Sequence, residues 1–189
     1  MNTIALLMAA GQSRRFGRPK LLEPCHGKPL LHHALSPLLS RYGNRLWVVL
    51  GENPAALLPH LAGAAWLHCP QSQLGLGHSI AAALRQLADQ PWDGVLIALA
   101  DQPAVPLSHF DRLTQRFQAT GEIVASGYAG IKGAPALFPR HCLAQLQALE
   151  GDRGAQALLR SVPRSQVIEL GQAAIDIDEP ADLQRFLAQ

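Results

Sequence analysis

The sequence predicts an α/β fold, a three-layer α/β/α Rossmann-like arrangement around a mostly parallel sheet, and three observations carry that expectation. Short apolar runs bounded by Gly, Pro, Asn or Asp recur along the chain, as strands buried on both faces require. Stretches with helical spacing separate them, and such alternation implies right-handed β-α-β crossovers. The 189 residues are 48% hydrophobic and 16% charged, a balance that suits one domain over 1–189 with a sizeable core.

In order, the expected strands are Thr3 to Met8, Leu46 to Leu50, Ala65 to His68, Gly94 to Ala98 and Ile123 to Ser126. The expected helices between them are Leu30 to Leu39, Gly77 to Leu87, Pro106 to Phe117 and His141 to Leu149. The C-terminal part departs from this rhythm. It reads as a helix around Gly154 to Ser161, a short strand Gln166 to Leu170, an extended piece Ile175 to Ile177, and a helix from Pro180. Ligands in such sheets sit at the carboxyl ends of strands, so functional residues are expected there.

Composition excludes several classes. A formal net charge of +2 argues for neither a nucleic-acid partner nor an acidic membrane surface. The apolar runs fall short of the roughly 18 to 20 residues of a membrane-spanning helix. The N-terminal run Ile4 to Ala10 has arginines after it and no basic residue before it, the wrong order for a signal peptide, so a cytoplasmic protein is expected. Cys25, Cys69 and Cys142 form no C-x-x-C pair and suggest neither disulfides nor zinc, and the eight histidines show no metal-motif spacing. No arrangement suggests a covalent nucleophile on the protein.

The most informative segment is MAAGQSRRFGRPK, Met8 to Lys20, directly after the first strand. Gly11 and Gly17 permit backbone angles closed to other residues, so consecutive N–H groups can point at a phosphate, while Arg14, Arg15, Arg18 and Lys20 supply charge. The competing use is a solvated basic loop. Lys20 precedes Leu21 rather than Ser or Thr, so this is no Walker A loop, and the G-x-G-x-x-G dinucleotide fingerprint is missing. Two acidic segments complement the loop. Asp101 lies just past the strand Gly94 to Ala98, where it can face a ligand, initiate a turn, or cap the helix near Pro106. In IDIDEP, strand-like alternation puts Asp176 and Asp178 on one side. Magnesium needs only one or two such carboxylates besides substrate phosphates.

Together these segments resemble the MobA-like nucleotidyltransferases, in particular the molybdenum-cofactor cytidylyltransferase type. MAAGQSRRFGRPK resembles L-A-A-G-x-S-x-R-M-G followed by K, with Gly11, Ser13, Arg15, Gly17 and Lys20 on signature positions. LADQP resembles the D-x-P motif, and DIDEPADL resembles D-I-D-T-P-E-D-L. The resemblance implies a fold of the nucleotide-diphospho-sugar transferase type and transfer of a nucleoside monophosphate to a phosphorylated acceptor, releasing pyrophosphate. It assigns catalysis to Arg15, Lys20 and Asp101. Arg15 and Lys20 would neutralise the triphosphate, and Asp101 with Asp178 would hold Mg2+, Asp176 being the rival for the second place. Ala9, Ala10, Gly11 and Ser13 join Arg15 and Lys20 in nucleotide binding.

CPQSQLGLGHSI resembles the stretch lying against base and ribose, which brings in Pro70, Gly75 and Ser79, with Ser79 opening a helix. MAAG rather than L-A-G-G resembles the cytidylyl-transferring members and favours CTP over GTP, although uridylyl-transferring relatives share the two alanines. YAGIKGAPALF resembles the acceptor segment through Gly133 and Pro135, with Ala134 and Lys132 where histidine and arginine are common. EGDRGAQALL resembles a helix start at which Asp152 would cap and Arg153 would face an acceptor phosphate, a solvated loop being its other reading. The implied reaction transfers CMP from CTP to molybdopterin, with molybdoenzyme maturation proteins as further partners. The alternatives are a same-fold enzyme using GTP or a sugar or polyol phosphate, and a non-enzymatic nucleotide- or cofactor-binding protein.

Overall fold

The first apolar run becomes the middle of a seven-stranded sheet in the computed structural model, which describes residues 1–128, 130–171 and 175–188. The first half of the chain holds β1 (Thr3–Ala9), β2 (Pro24–Cys25), β3 (Lys28–Pro29), α1 (Leu30–Tyr42), β4 (Leu46–Leu50), β5 (Ala65–His68), α2 (Leu76–Gln86) and β6 (Gly94–Leu99). Then come α3 (Leu107–Thr120), β7 (Val124–Tyr128), β8 (Ile131–Pro139), α4 (Leu143–Gln147), α5 (Gln156–Arg160), β9 (Val167–Glu169) and α6 (Pro180–Leu187).

Why β1 is a strand follows from where its side chains go. Ala5, Leu7 and Ala9 enter one apolar cluster with Leu31, Leu35, Phe110 and Phe117. Ile4, Leu6 and Met8 enter a second with Ile80, Leu84, Leu146 and Leu159. A run that is apolar at every position satisfies both faces at once, which alternating hydrophobicity would not. Thus α1 and α3 cover one face, and α2, α4 and α5 cover the other.

The sheet order is β5-β4-β1-β6-β8-β7-β9. Every pairing is parallel except those of β8, which runs against both β6 and β7. The chain builds outward from β1 through β4 to β5, then crosses back to lay β6 on β1's other side. That reversal creates a crevice between the carboxyl ends of β1 and β6, the usual ligand position in such sheets.

The expected α/β class is borne out, two local expectations are corrected, and one strand had no counterpart in the sequence reading. The segment read for acceptor binding is itself a nine-residue strand, β8. Gly133 and Pro135 argue against a strand in sequence, because proline lacks an N–H for the ladder. The structure accommodates them at an irregularity where Ala125 pairs Ala136 but Ser126 already pairs Gly133, so Ala134 and Pro135 are passed over. Ile175 to Ile177 is not a strand: it bonds back by one backbone link, Ile177 N–H to the Asp101 carbonyl at 2.9 Å. Ser79 does not open α2, which starts at Leu76 after Gly75; its hydroxyl instead donates to the Gly75 carbonyl one turn back, at 3.1 Å.

Candidate active site

The loop after β1 is a folded structure rather than a solvated tether. The Ser13 carbonyl accepts from the Phe16 and Gly17 N–H groups, and the Ser13 hydroxyl accepts from the Lys20 N–H at 3.3 Å. The left-handed positions fall on Ser13, with φ 51°, and Gly17, with φ 78°; Gly11 is not among them, contrary to its expected role. A methyl group at Gly11 would meet only open space, and Gly11 lines the cleft. Phe16 is buried and anchors the loop, with the Arg18 guanidinium 5.5 Å from its ring centre. Arg18 is held bidentately by Glu23, at 2.6 and 2.7 Å. Arg15 and Arg14 project at the cleft instead.

Lys20 does something different from the other three cations: it turns inward. Only 7% exposed, its ammonium donates to Asp101 Oδ2 at 2.8 Å, to the Ile177 carbonyl at 2.7 Å and to Asp178 Oδ1 at 3.2 Å. The other oxygen of Asp178 accepts from Arg15 at 2.8 Å. Each partner has a local reason for its position. Asp101 follows β6 at the crevice, and α3 begins at Leu107 after Pro106 without a side-chain cap, so Asp101 caps no helix. The Asp182 carboxylate accepts from the N–H groups of Asp178 and Glu179, at 2.9 and 2.7 Å. Those two bonds hold its own carboxyl below the ordinary range and set the turn into α6, whose N-cap is Glu179.

Asp176 does not join this cluster, since its Oδ1 accepts from the Gln102 amide at 2.9 Å. The residue is exposed as a whole, yet loss of hydration at the carboxyl raises its pKa. The negative charges of Asp101 and Asp178 push in the same direction, against the Gln102 bond and Lys20.

Among the described residues, no group of three or more His, Cys, Asp or Glu side chains is placed to hold a metal. Two carboxylates on one cleft wall therefore fit a hard cation that completes its shell with waters and phosphates, and do not fit an all-protein cage. A further sign is Asp101 Oδ1, buried and without a hydrogen-bond partner among the described residues. A lone-pair oxygen left so costs free energy that a cation would recover.

A cleft of about 420 Å³ opens at this point. Its wall includes Ala9, Ala10, Gly11, Ser13, Arg15, Lys20, Gly75, Ser79, Asp101 and Asp178. Pro70, on an exposed turn, does not border it, and neither do Gly133, Pro135 or the exposed Arg153. Gly133 and Pro135 are occupied within the sheet: a methyl group at Gly133 would collide with the Tyr128 hydroxyl, and the Pro135 carbonyl accepts from Ser126 at 2.5 Å. Lys132 spends its ammonium on the Arg160 and Val162 carbonyls. Asp152 caps nothing, because α5 starts at Gln156 after Ala155; it lines the cleft beside Gly75.

Sequence reasoning missed Ser72, Gln73 and Leu76 of the wall, and a second cleft of about 590 Å³. The second cleft shares the Ala9–Arg14 stretch and Ser72 and continues to Gly51, Glu52 and Asn53. The available signal was topological, since Gly51 follows β4 immediately and β4 neighbours β1.

A cation-bearing loop facing carboxylates at the switch point of a parallel sheet is the layout of a nucleotide-handling α/β protein. The chain belongs to the MobA-like NTP transferase domain family, which it matches over residues 5–167. It is thus a nucleotidyltransferase-family chain. It is 32% identical over 167 residues to the purine catabolism protein PucB of Bacillus subtilis, with 84% of this chain and 80% of PucB covered. Rv0371c from Mycobacterium tuberculosis H37Rv superposes with a TM-score of 0.84 at 28% identity, covering 100% of this chain and 98% of that one. A second structure of Rv0371c, a complex with manganese, gives 0.80 at 27% identity with both chains fully covered. Molybdopterin-guanine dinucleotide biosynthesis protein A from Archaeoglobus fulgidus shares the fold at 19% identity and a TM-score of 0.66, over 97% of this chain and 95% of that one. Among the described residues, no helix is long and apolar enough to cross a membrane.

Proposed function

We propose that this protein transfers CMP from CTP to a molybdopterin-type acceptor, releasing pyrophosphate. The observation that carries the reading is the meeting of Lys20 with Asp101 and Asp178, which gathers phosphate-binding and cation-binding groups at one point. In this reading an acceptor phosphate oxygen forms a bond to the α-phosphorus of CTP. The bond from that phosphorus to the bridging oxygen breaks, and pyrophosphate leaves with the electron pair. Arg15 and Lys20 bind the triphosphate and stabilise charge on the departing oxygens, a task of positioning and electrostatics. Asp101 and Asp178 would hold Mg2+, which supplies charge neutralisation at the phosphates.

Ala10 supports the choice of CTP: a buried methyl group in the shared wall of the two clefts narrows the space offered to a base. Pterin recognition rests on the family resemblance. The deciding experiment measures pyrophosphate release with CTP, GTP, ATP and UTP plus Mg2+, with molybdenum-loaded molybdopterin, with a sugar phosphate in its place, and with neither. Release with CTP only when the pterin is present supports the proposal. Pterin-independent release with a sugar phosphate, or release with GTP alone, overturns it.

A further inference from the structure

An ammonium group has three hydrogens and no more to give. In Lys20 all three find oxygens: Asp101 Oδ2, the Ile177 carbonyl and Asp178 Oδ1, at 2.8, 2.7 and 3.2 Å. The side chain is 9% exposed and lies between two carboxylates from distant parts of the chain. Contact between Lys20 and a phosphate oxygen therefore requires release of one of these three oxygens, and a divalent cation on Asp101 Oδ1 and Asp178 lies beside the Lys20 ammonium unless Lys20 moves away. Neither exchange is favourable alone. The first gives up one of the bonds that hold the buried ammonium, and the second puts like charges side by side in a partly desolvated place.

We propose that Lys20 is the resident counter-ion of the Asp101–Asp178 pair, and that it yields the pair to a divalent metal only when nucleotide phosphates arrive to receive its ammonium. Free metal is thereby kept out, and metal and nucleotide bind as coupled ligands. The inference rests on the reading above, in which the two aspartates hold the metal and Lys20 contacts the triphosphate. Arg15 provides an internal control: it also pairs with Asp178, at 2.8 Å, but its side chain is 69% exposed and it does not touch Asp101. Its removal takes away the same charge without vacating the space between the aspartates.

The test titrates Mn2+ and reads the free ion by its electron paramagnetic resonance signal, for the wild type, Lys20→Met and Arg15→Met, with and without α,β-methylene CTP. Lys20→Met is expected to bind Mn2+ alone about tenfold or more tighter than the wild type, within the ordinary range for coupled sites, while Arg15→Met changes affinity by less than about threefold. An equal gain in Arg15→Met, or none in Lys20→Met, overturns the proposal. Absence of Mn2+ binding beyond that of the analogue alone, in every sample, overturns the metal reading as well, so the two failures are distinct. Should Lys20→Met fail to fold, 1H–15N spectra of the wild-type lysine ammonium groups decide. The Lys20 resonance is expected to stay in place with Mg2+ alone and to move with Mg2+ plus the analogue. Movement with Mg2+ alone overturns the proposal.

Discussion

Acidification should destabilise this protein through one buried histidine. His109 of α3 is 2% exposed, and its Nε2 lies 2.8 Å from the Ser126 hydroxyl, which itself donates to the Pro135 carbonyl. The hydroxyl proton is thereby spent, so the imidazole donates and needs no second proton. Burial, reinforced by Arg112, lowers its pKa from 6.5 to about 4. The unfolded chain therefore binds more protons than the folded one between these values. The stability contribution is complete above about pH 6.5 and is lost as pH falls towards 4. Between pH 7 and pH 5 this one group should remove about 2 kcal/mol, approaching about 3 kcal/mol once pH falls below 4. For a chain of this size that corresponds to a melting-temperature change of roughly 4 to 8 °C between pH 7 and pH 5. Urea denaturation of the wild type and His109→Gln at both pH values isolates the term, since the amide can still donate to Ser126 but does not titrate. Other groups contribute equally to both proteins. If the two lose the same stability over that interval, the assignment of the pH dependence to His109 is wrong.

Three further outcomes are expected. Asp101→Asn should lower kcat for pyrophosphate release by about a hundredfold or more if, as proposed, its carboxylate holds the metal that neutralises the phosphates. Its urea midpoint should stay close to that of the wild type, because Lys20 keeps Asp178 and the Ile177 carbonyl; wild-type turnover would remove Asp101 from the chemistry. Gly75→Ala should cost about 2 kcal/mol or more and weaken nucleotide binding, because φ is +109° and the new methyl would strike the Gly151 carbonyl. Thermal melts and nucleotide titration check this. Cys25, Cys69 and Cys142 are all free and buried, so a thiol reagent should label them only at the rate of unfolding, and rapid modification of any one in the native protein would contradict their burial.

The site was legible in part, and particular residues show the boundary. That the loop after β1 borders the cleft could be read because glycines and cations fall close together after a strand, and the place of Asp101 because it follows an apolar run. The second cleft could not be read, since Gly51, Glu52 and Asn53 become neighbours of the loop only when β4 pairs with β1. Asp152 was misread for the same reason: its use depends on Gly75 and Gly77 packing against the Glu150–Asp152 turn, where Gly77 N–H meets the Gly151 carbonyl at 2.7 Å.

The amino-acid sequence by itself determined the layered α/β class, because runs apolar at every position can be satisfied only between two helical layers. It also determined the family, through motifs that lie within short stretches. Tertiary structure alone decided the direction of β8, where Ser126 bonds the carbonyl of a proline passed over by the ladder. It alone decided that Lys20, rather than Arg14, Arg15 or Arg18, lies between the two aspartates. Those partners stand 81 and 158 positions away, and no local periodicity encodes a contact made only when β1 and β6 come side by side with the turn before α6 laid across their ends.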